Sequence, residues 1–387
     1  MSGYNISYIL RIALIGALGG FLFGYDWVVI GGAKPFYEKF FLISDIAGMQ
    51  GWMMSSALLG CIAGALGSGI ISDRFGRKIA LFTAAILFTT SAVGTGFSGS
   101  VGQFVFFRIW GGIGIGIASS VSPVFISEMS PANLRGRFVS LNQLTIVVGI
   151  LLAQIVNWLI ARPVPDGATD RFILESWNGQ MGWRWMFWAE TVPAFLFFVL
   201  LFAVPESPRW LVKSGKNEEA RGILERIGGR GYAADRINEI RASFREISEK
   251  VDFRSLFSRS VFPILLLGMV LAFFQQWCGI NVVFNYAEEV FAAAGYGVSD
   301  TLFNIVITGV INLVFTFVAI RTVDRWGRKP LQMAGALGMA SFMTVLGFTF
   351  FLEQVNLVSL VCMLGYVACF ALSWGPVTLS LIHISEP

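Results

Sequence analysis

Charge is scarce in this sequence. Asp, Glu, Lys and Arg make up 13% of its residues, against about 25% in an ordinary soluble domain. Hydrophobic residues reach 55%, so the chain belongs in a lipid bilayer. Histidine is nearly missing: His383 stands alone, which excludes a histidine cluster. Cysteines number four, Cys61, Cys278, Cys362 and Cys369. All lie in apolar segments without Cys-x-x-Cys spacing, so neither disulfides nor a thiolate metal site are expected. No nucleophile–base pair, metal cluster or phosphate-binding glycine loop after a strand is visible, which excludes an enzyme reading and leaves no cofactor to expect. A cleavable signal peptide is missing too: the first apolar run is too long and lacks a small-residue cleavage site. The net charge of +4 suggests nucleic acid only until its placement in short loops is seen.

What the sequence has is apolar runs. A membrane span needs roughly 20 apolar residues. Ten runs qualify, at 9–32, 50–71, 79–97, 103–123, 139–160, 184–204, 261–286, 301–320, 331–351 and 357–379. Lys and Arg concentrate in alternate short loops: Arg74, Arg77 and Lys78; Arg135 and Arg137; Arg321, Arg325, Arg328 and Lys329. The positive-inside bias puts those loops, and the N-terminus, on the cytoplasmic side. A multi-pass protein of the cell membrane follows.

One stretch recurs. Asp73-Arg74-Phe75-Gly76-Arg77-Lys78 returns as Asp324-Arg325-Trp326-Gly327-Arg328-Lys329, with six spans between the copies. An even number of crossings puts both copies on one face, the mark of a parallel repeat about the membrane normal. The expected architecture is all-α. Residues 1–204 form a six-helix bundle, and 205–260 form a cytoplasmic linker of short surface helices with mixed charge. Residues 261–379 form a second bundle with four of six helices. Two spans of a twelve-span pattern are not found, and 380–387 is expected to be a non-native tail. The linker serves equally as a solvated tether or as part of a gate.

Three constellations carry chemistry. Asp26 and Arg108 lie inside apolar runs at matching depth, and an intramembrane ionisable residue is a functional hypothesis by default. Gly112 and Gly116 continue the Arg108 face, and Gly19 lies on the Asp26 face; small residues let helices approach closely. Asp26 is the carboxylate placed well inside the first five spans. Burial and the Arg oppose each other in setting its proton affinity, so the pair suits either proton coupling or a permanent structural ion pair. The amides Gln143, Gln275, Gln276, Asn281, Asn285 and Asn312 offer donors and acceptors without charge, as a neutral polyhydroxylated ligand requires; they also suit interhelical bonding. Gln275 and Gln276 do not share a face with Asn281 in a straight helix, so a break at Gly279 is expected to align them. Finally, Asp73, Arg74, Arg77, Glu128, Arg135, Asp324, Arg325 and Arg328 flank the turns of the basic loops, where carboxylate–guanidinium pairs can latch a gate.

These residues resemble the sugar porter family of the major facilitator superfamily. The resemblance rests on Gly19-Gly20-x-x-x-Gly24-Tyr25-Asp26, Arg108 with its glycines, and Glu128-x6-Arg135-Gly136-Arg137. Pro205-Glu206-Ser207-Pro208-Arg209, Gln275-Gln276-x-x-Gly279-Ile280-Asn281, Val323–Lys329 and Ser373-Trp374-Gly375-Pro376 complete it. It implies the major facilitator fold and movement of a monosaccharide by proton symport and alternating access, in a monomer with the proton as coupling ion. Sugar hydroxyls are implied at Gln143, Gln275, Gln276, Asn281 and Asn312, with Phe23 near the sugar. Asp26 is implied as the coupling site, because facilitative members tend to have Asn there. The sequence departs from the pattern at Asn285, where many members have Tyr, and at Leu379, where the family has a stacking Trp. Proton-independent facilitation, and a transporter-like sugar sensor, are the competing functions; a sensor is expected to carry a long signalling tail, which is not seen.

Overall fold

The computed structural model describes residues 3–165, 167–246, 258–259, 261–285, 287, 290–291, 297–352 and 357–375. In a bilayer the backbone has no water to bond to, and a helix satisfies it within one segment. The apolar runs accordingly form α1 (Ile6–Phe40), α2 (Ala47–Phe75), α3 (Arg77–Phe97), α4 (Val101–Met129) and α5 (Arg135–Ile160). A short α6 (Asp170–Glu175) precedes α7 (Trp183–Leu200), which is entered through a π-helical turn at Asn178–Gly182. The linker contributes α8 (Pro208–Lys213) and α9 (Asn217–Glu246). Then come α10 (Phe262–Trp277), α11 (Ile280–Asn285), α12 (Val298–Trp326), α13 (Arg328–Phe351) and α14 (Leu357–Leu372).

Among the described residues nine helical stretches are long and apolar enough to cross a membrane, α10 and α11 counting as one. The tenth expected span is represented by the shorter α14; its expected end, with Leu379 and the tail 380–387, lies outside the described residues. Helix α1 runs eight residues past its expected end at 32. Lys34 and Glu38 interrupt the apolar run, yet both are buried and pair at 3.7 Å. Tyr37 packs on Phe104 at 5.1 Å and donates to Met54 Sδ at 3.1 Å. Protein contacts, not lipid, carry the helix there, so hydropathy ends it too early.

The repeat seen in the sequence returns in the backbone. Gly76 (φ 102°, ψ 162°) ends α2 and starts α3; Gly327 (φ 81°, ψ 161°) does the same between α12 and α13. These positive φ values favour glycine strongly. Helix α1 packs on α5, α2 on α4, and α3 on both α4 and α7; α14 packs on α12 and α13, and α5 against α12 joins the halves. A Cβ on Gly112 or Gly116 would meet the Ala57 or Cys61 carbonyl. Those glycines therefore seat α4 against α2 rather than α1. Gly19 brings α1 onto α4, against Ser122, as Gly16 does against Phe125 and Ile126.

The linker is more ordered than its mixed charge suggests. Helix α9 is 30 residues long and kinks at Gly229. It buries Leu224, Ile227, Ile237 and Ile240, and the Ile227 carbonyl accepts the Asn5 N–H at 2.8 Å. Linker residues 247–257 and 260 lie outside the described residues.

Candidate substrate and proton site

The site is assembled in three tiers along the bundle. The innermost is a charge cluster. Arg108 of α4 donates through Nη1 to Asp26 Oδ1 at 2.5 Å and through Nη2 to the Asp26 carbonyl at 3.3 Å. Both side chains are 2% exposed. The guanidinium sits 5.8 Å from the Phe187 ring centroid. The sequence thus pairs these two correctly across 82 positions. It also holds a third member that the reading of the chain passed over. Glu190 of α7 is 1% exposed and interacts with both Asp26 and Arg108. Asp26 and Glu190 lie within hydrogen-bond reach of one another once one of them holds a proton, and Arg108 Nε has no hydrogen-bond partner in the protein. Two carboxylates thus face one guanidinium: the cluster is neutral with one proton on it and carries one negative charge without. Glu190 lies inside the run 184–204, and the rule that singles out Asp26 applies to it equally.

The second tier is the inner part of a cavity of ≈ 1660 Å³ that continues to the mouth. Phe23, Gln143, Gln275, Gln276, Asn281 and Asn312 all line it; Asn285 does not. Gly279 (φ 90°) breaks the chain between α10 and α11, and this break puts Gln276 and Asn281 together. Asn281 Nδ2 donates to Gln276 Oε1 at 2.7 Å, and Gln275 Nε2 to the Trp374 carbonyl at 3.2 Å. Tyr366 of α14 holds the break, donating its hydroxyl to the Cys278 carbonyl at 2.5 Å. Gly24 and Cys61 also line the cavity, and Cys61 interacts electrostatically with Asp26. The charge cluster therefore lies just behind the cavity wall.

The third tier is the mouth at the basic-loop end. Arg77 makes a two-bond contact with Glu128, Nε to Oε2 at 3.0 Å and Nη2 to Oε1 at 3.2 Å, and reaches Asp73 at 3.1 Å. Two partners unforeseen in the sequence complete this latch. Ser207 Oγ donates to Glu128 Oε2 at 2.5 Å. Glu206 accepts the N–H groups of Arg77 (3.0 Å), Lys78 (3.1 Å) and Ser207 (2.7 Å). A carboxylate at a helix N-terminus is a favourable pairing. Burial nevertheless pushes the Glu206 carboxyl up, against the opposing pull of those N–H groups and Arg77. The motif Pro205–Arg209 is thus a clamp on the start of α3, 129 residues away in sequence; only folding brings the two together.

Not every latch residue behaves as expected. Arg74 is exposed and lies over Phe75 rather than in an ion pair. Arg325 is also exposed. Arg135 lines the mouth with its Nε buried and unpaired. Arg328 lines the mouth from the second repeat; the Asp324 side chain lies outside the described residues.

Among the described residues, contacts between the two halves close the end of the bundle opposite the basic loops. The Val164 N–H donates to Ser299 Oγ at 3.0 Å, the Trp158 and Phe303 rings meet at 5.6 Å, and Gly31 packs against the Phe284 carbonyl. Among the described residues the amide cavity opens through the latch tier.

Residues 12–386 match the family model "Sugar (and other) transporter". The D-xylose-proton symporter of Escherichia coli (strain K12) is 44% identical over 398 residues, covering 97% of this chain and 79% of that protein. The glucose facilitated diffusion protein of Zymomonas mobilis is 37% identical over 383 residues, 95% of this chain and 79% of that protein. Among solved structures, a partially occluded inward open conformation of the xylose transporter XylE from E. coli superposes with a TM-score of 0.85 at 41% identity, over 98% of this chain and 87% of that one. The chain is an all-helical, multi-pass membrane protein of the major facilitator fold, and it belongs to the sugar transporter family.

Proposed function

We propose that this protein moves a monosaccharide across the cell membrane together with a proton, by alternating access. The observation that carries this is the shared wall: a cavity whose inner end is lined by neutral amides, with its charged residues at the mouth, backed directly by a buried cluster that needs one proton for neutrality. Neutral amides suit sugar hydroxyls. A cluster whose net charge depends on one proton links protonation to the packing of α1, α4 and α7, because a bare buried charge resists rearrangement in low dielectric. The relatives named for proton symport of D-xylose agree with this reading.

The Arg/Lys bias of the loops puts the basic end, the latch and the N-terminus in the cytoplasm. The cavity is then open to the inside and shut to the outside, and the chain acts as a monomer. The test is uptake of D-xylose and D-glucose into vesicles with and without an imposed pH gradient, in the parent and in Asp26→Asn. Gradient-driven accumulation by the parent, lost in Asp26→Asn while sugar binding persists, is the expected result. Accumulation by the Asn variant would move coupling elsewhere. Gradient-independent equilibration by the parent would make the protein a facilitator, like the Zymomonas relative.

A further inference from the structure

The shut end contains polar groups that closing leaves without partners. Gln154 of α5 is 2% exposed, and neither its Oε1 nor its Nε2 has a hydrogen-bond partner in the protein. Asn157 Oδ1, Asn285 Oδ1 and Thr301 Oγ1, at the same end, are likewise buried and unpaired. Gln154 stands eleven residues, about three turns, beyond Gln143 on the same face of α5. It therefore points toward the other half of the molecule, as Gln143 does, but where the halves touch. Its amide is seated on Gly309 of α12: a Cβ there would collide with Gln154 Oε1 and press on Leu151 Cδ1. Helices α5 and α12 run antiparallel through this contact, with Trp158 meeting Phe303 and Val164 meeting Ser299 further out.

A packed interface meant to stay shut would hold apolar groups or satisfied ones, because an unpaired buried polar group is costly to keep. Here a buried amide of the contact is unpaired, and it occupies the space that a side chain on residue 309 would need. We propose that Gln154 and Gly309 are a matched pair that sets how readily the outer end opens. Gly309 leaves the room in which the Gln154 amide lies, and a methyl there would push that amide out of its seat. The unpaired Gln154 amide keeps closure shallow, since opening returns it to water or to sugar. This role rests on the alternating-access reading but not on the identity of the sugar.

The test is outer-end accessibility without sugar. Thr301 is 1% exposed and its hydroxyl is unpaired, so Thr301→Cys reports opening and forfeits no hydrogen bond. The full chain carrying Thr301→Cys is labelled in sealed vesicles with a membrane-impermeant maleimide, and the chain without it serves as blank. Adding Gln154→Leu, similar in length but apolar, is expected to slow labelling about tenfold, as expected for relieving one unpaired buried group. Adding Gly309→Ala is expected to speed labelling by about the same factor. Gln154→Ala combined with Gly309→Ala is expected to abolish that acceleration, because the new methyl regains its space. Two variants moving in opposite directions, with the rescue, are not what general loosening produces. Unchanged or faster labelling in Gln154→Leu, no acceleration in Gly309→Ala, or failure of the rescue would each overturn the assignment. Failure of the parent to bind sugar would strike the proposed function and leave this outcome readable.

Discussion

Replacing Asp26 by Asn removes one charge from a buried cluster of three, and the third member decides the cost. Removing one partner of an isolated buried ion pair costs about 3–5 kcal/mol, because the survivor is left bare. Arg108 is not left bare: Glu190 interacts with it and with Asp26 from α7. The single variant therefore loses one charge-assisted hydrogen bond, about 1.5–3 kcal/mol, and keeps a carboxylate near the guanidinium. Glu190→Gln alone leaves the 2.5 Å Asp26–Arg108 contact intact and is expected to cost less. The double variant leaves Arg108 with no anion at 1% exposure. Its loss is expected to exceed the sum of the single losses by about 1–3 kcal/mol, the range of coupling between groups sharing one network. The assay is unfolding of all four proteins in one detergent under matched conditions, by denaturant or heat. Additive losses would refute the reasoning, because they would mean that Glu190 does not take over the guanidinium. An Asp26→Asn loss already near the full cost of a broken buried pair would refute it as well.

Two further outcomes follow from the other tiers. Gln276→Ala or Asn281→Ala removes one member of the 2.7 Å amide pair in the cavity, and each is expected to weaken sugar binding by about 1–3 kcal/mol; calorimetric titration with D-xylose or D-glucose giving parental affinity in both would return the amides to interhelical bonding. Glu206, with its carboxyl pushed up by burial, binds protons more tightly folded than unfolded. Its stabilising contribution is fully present below the ordinary glutamate value, about 4.3, and is lost as pH rises from there through the raised folded value. In Glu206→Gln this component is absent, so the parent's thermal midpoint should fall relative to the variant across that window; parallel pH profiles would remove Glu206 from the titrating groups.

Much of this protein was written locally, and those parts were legible in the chain. Apolar runs of membrane length can only become helices in a bilayer, so the all-α class and most spans follow from hydropathy. The repeated Asp-Arg-x-Gly-Arg-Lys loops are read from composition and reappear as two glycine turns of the same geometry, at Gly76 and Gly327. Asp26 and Arg108 are found because charge inside an apolar run is conspicuous, and the break at Gly279 because misaligned amides demand one. Folding alone decided which distant groups share a space. Glu190 enters the charge cluster because α7 packs beside α3 and α1, and no spacing in the chain records that. Glu206 and Ser207 reach the start of α3 only once the linker folds back beneath the bundle. Helix α1 outruns its apolar stretch because Lys34 and Glu38 are sheltered by neighbouring helices. The approach of Gln154 to Gly309 across the two halves is likewise a tertiary fact, a contact between residues whose local sequences are simply apolar helix.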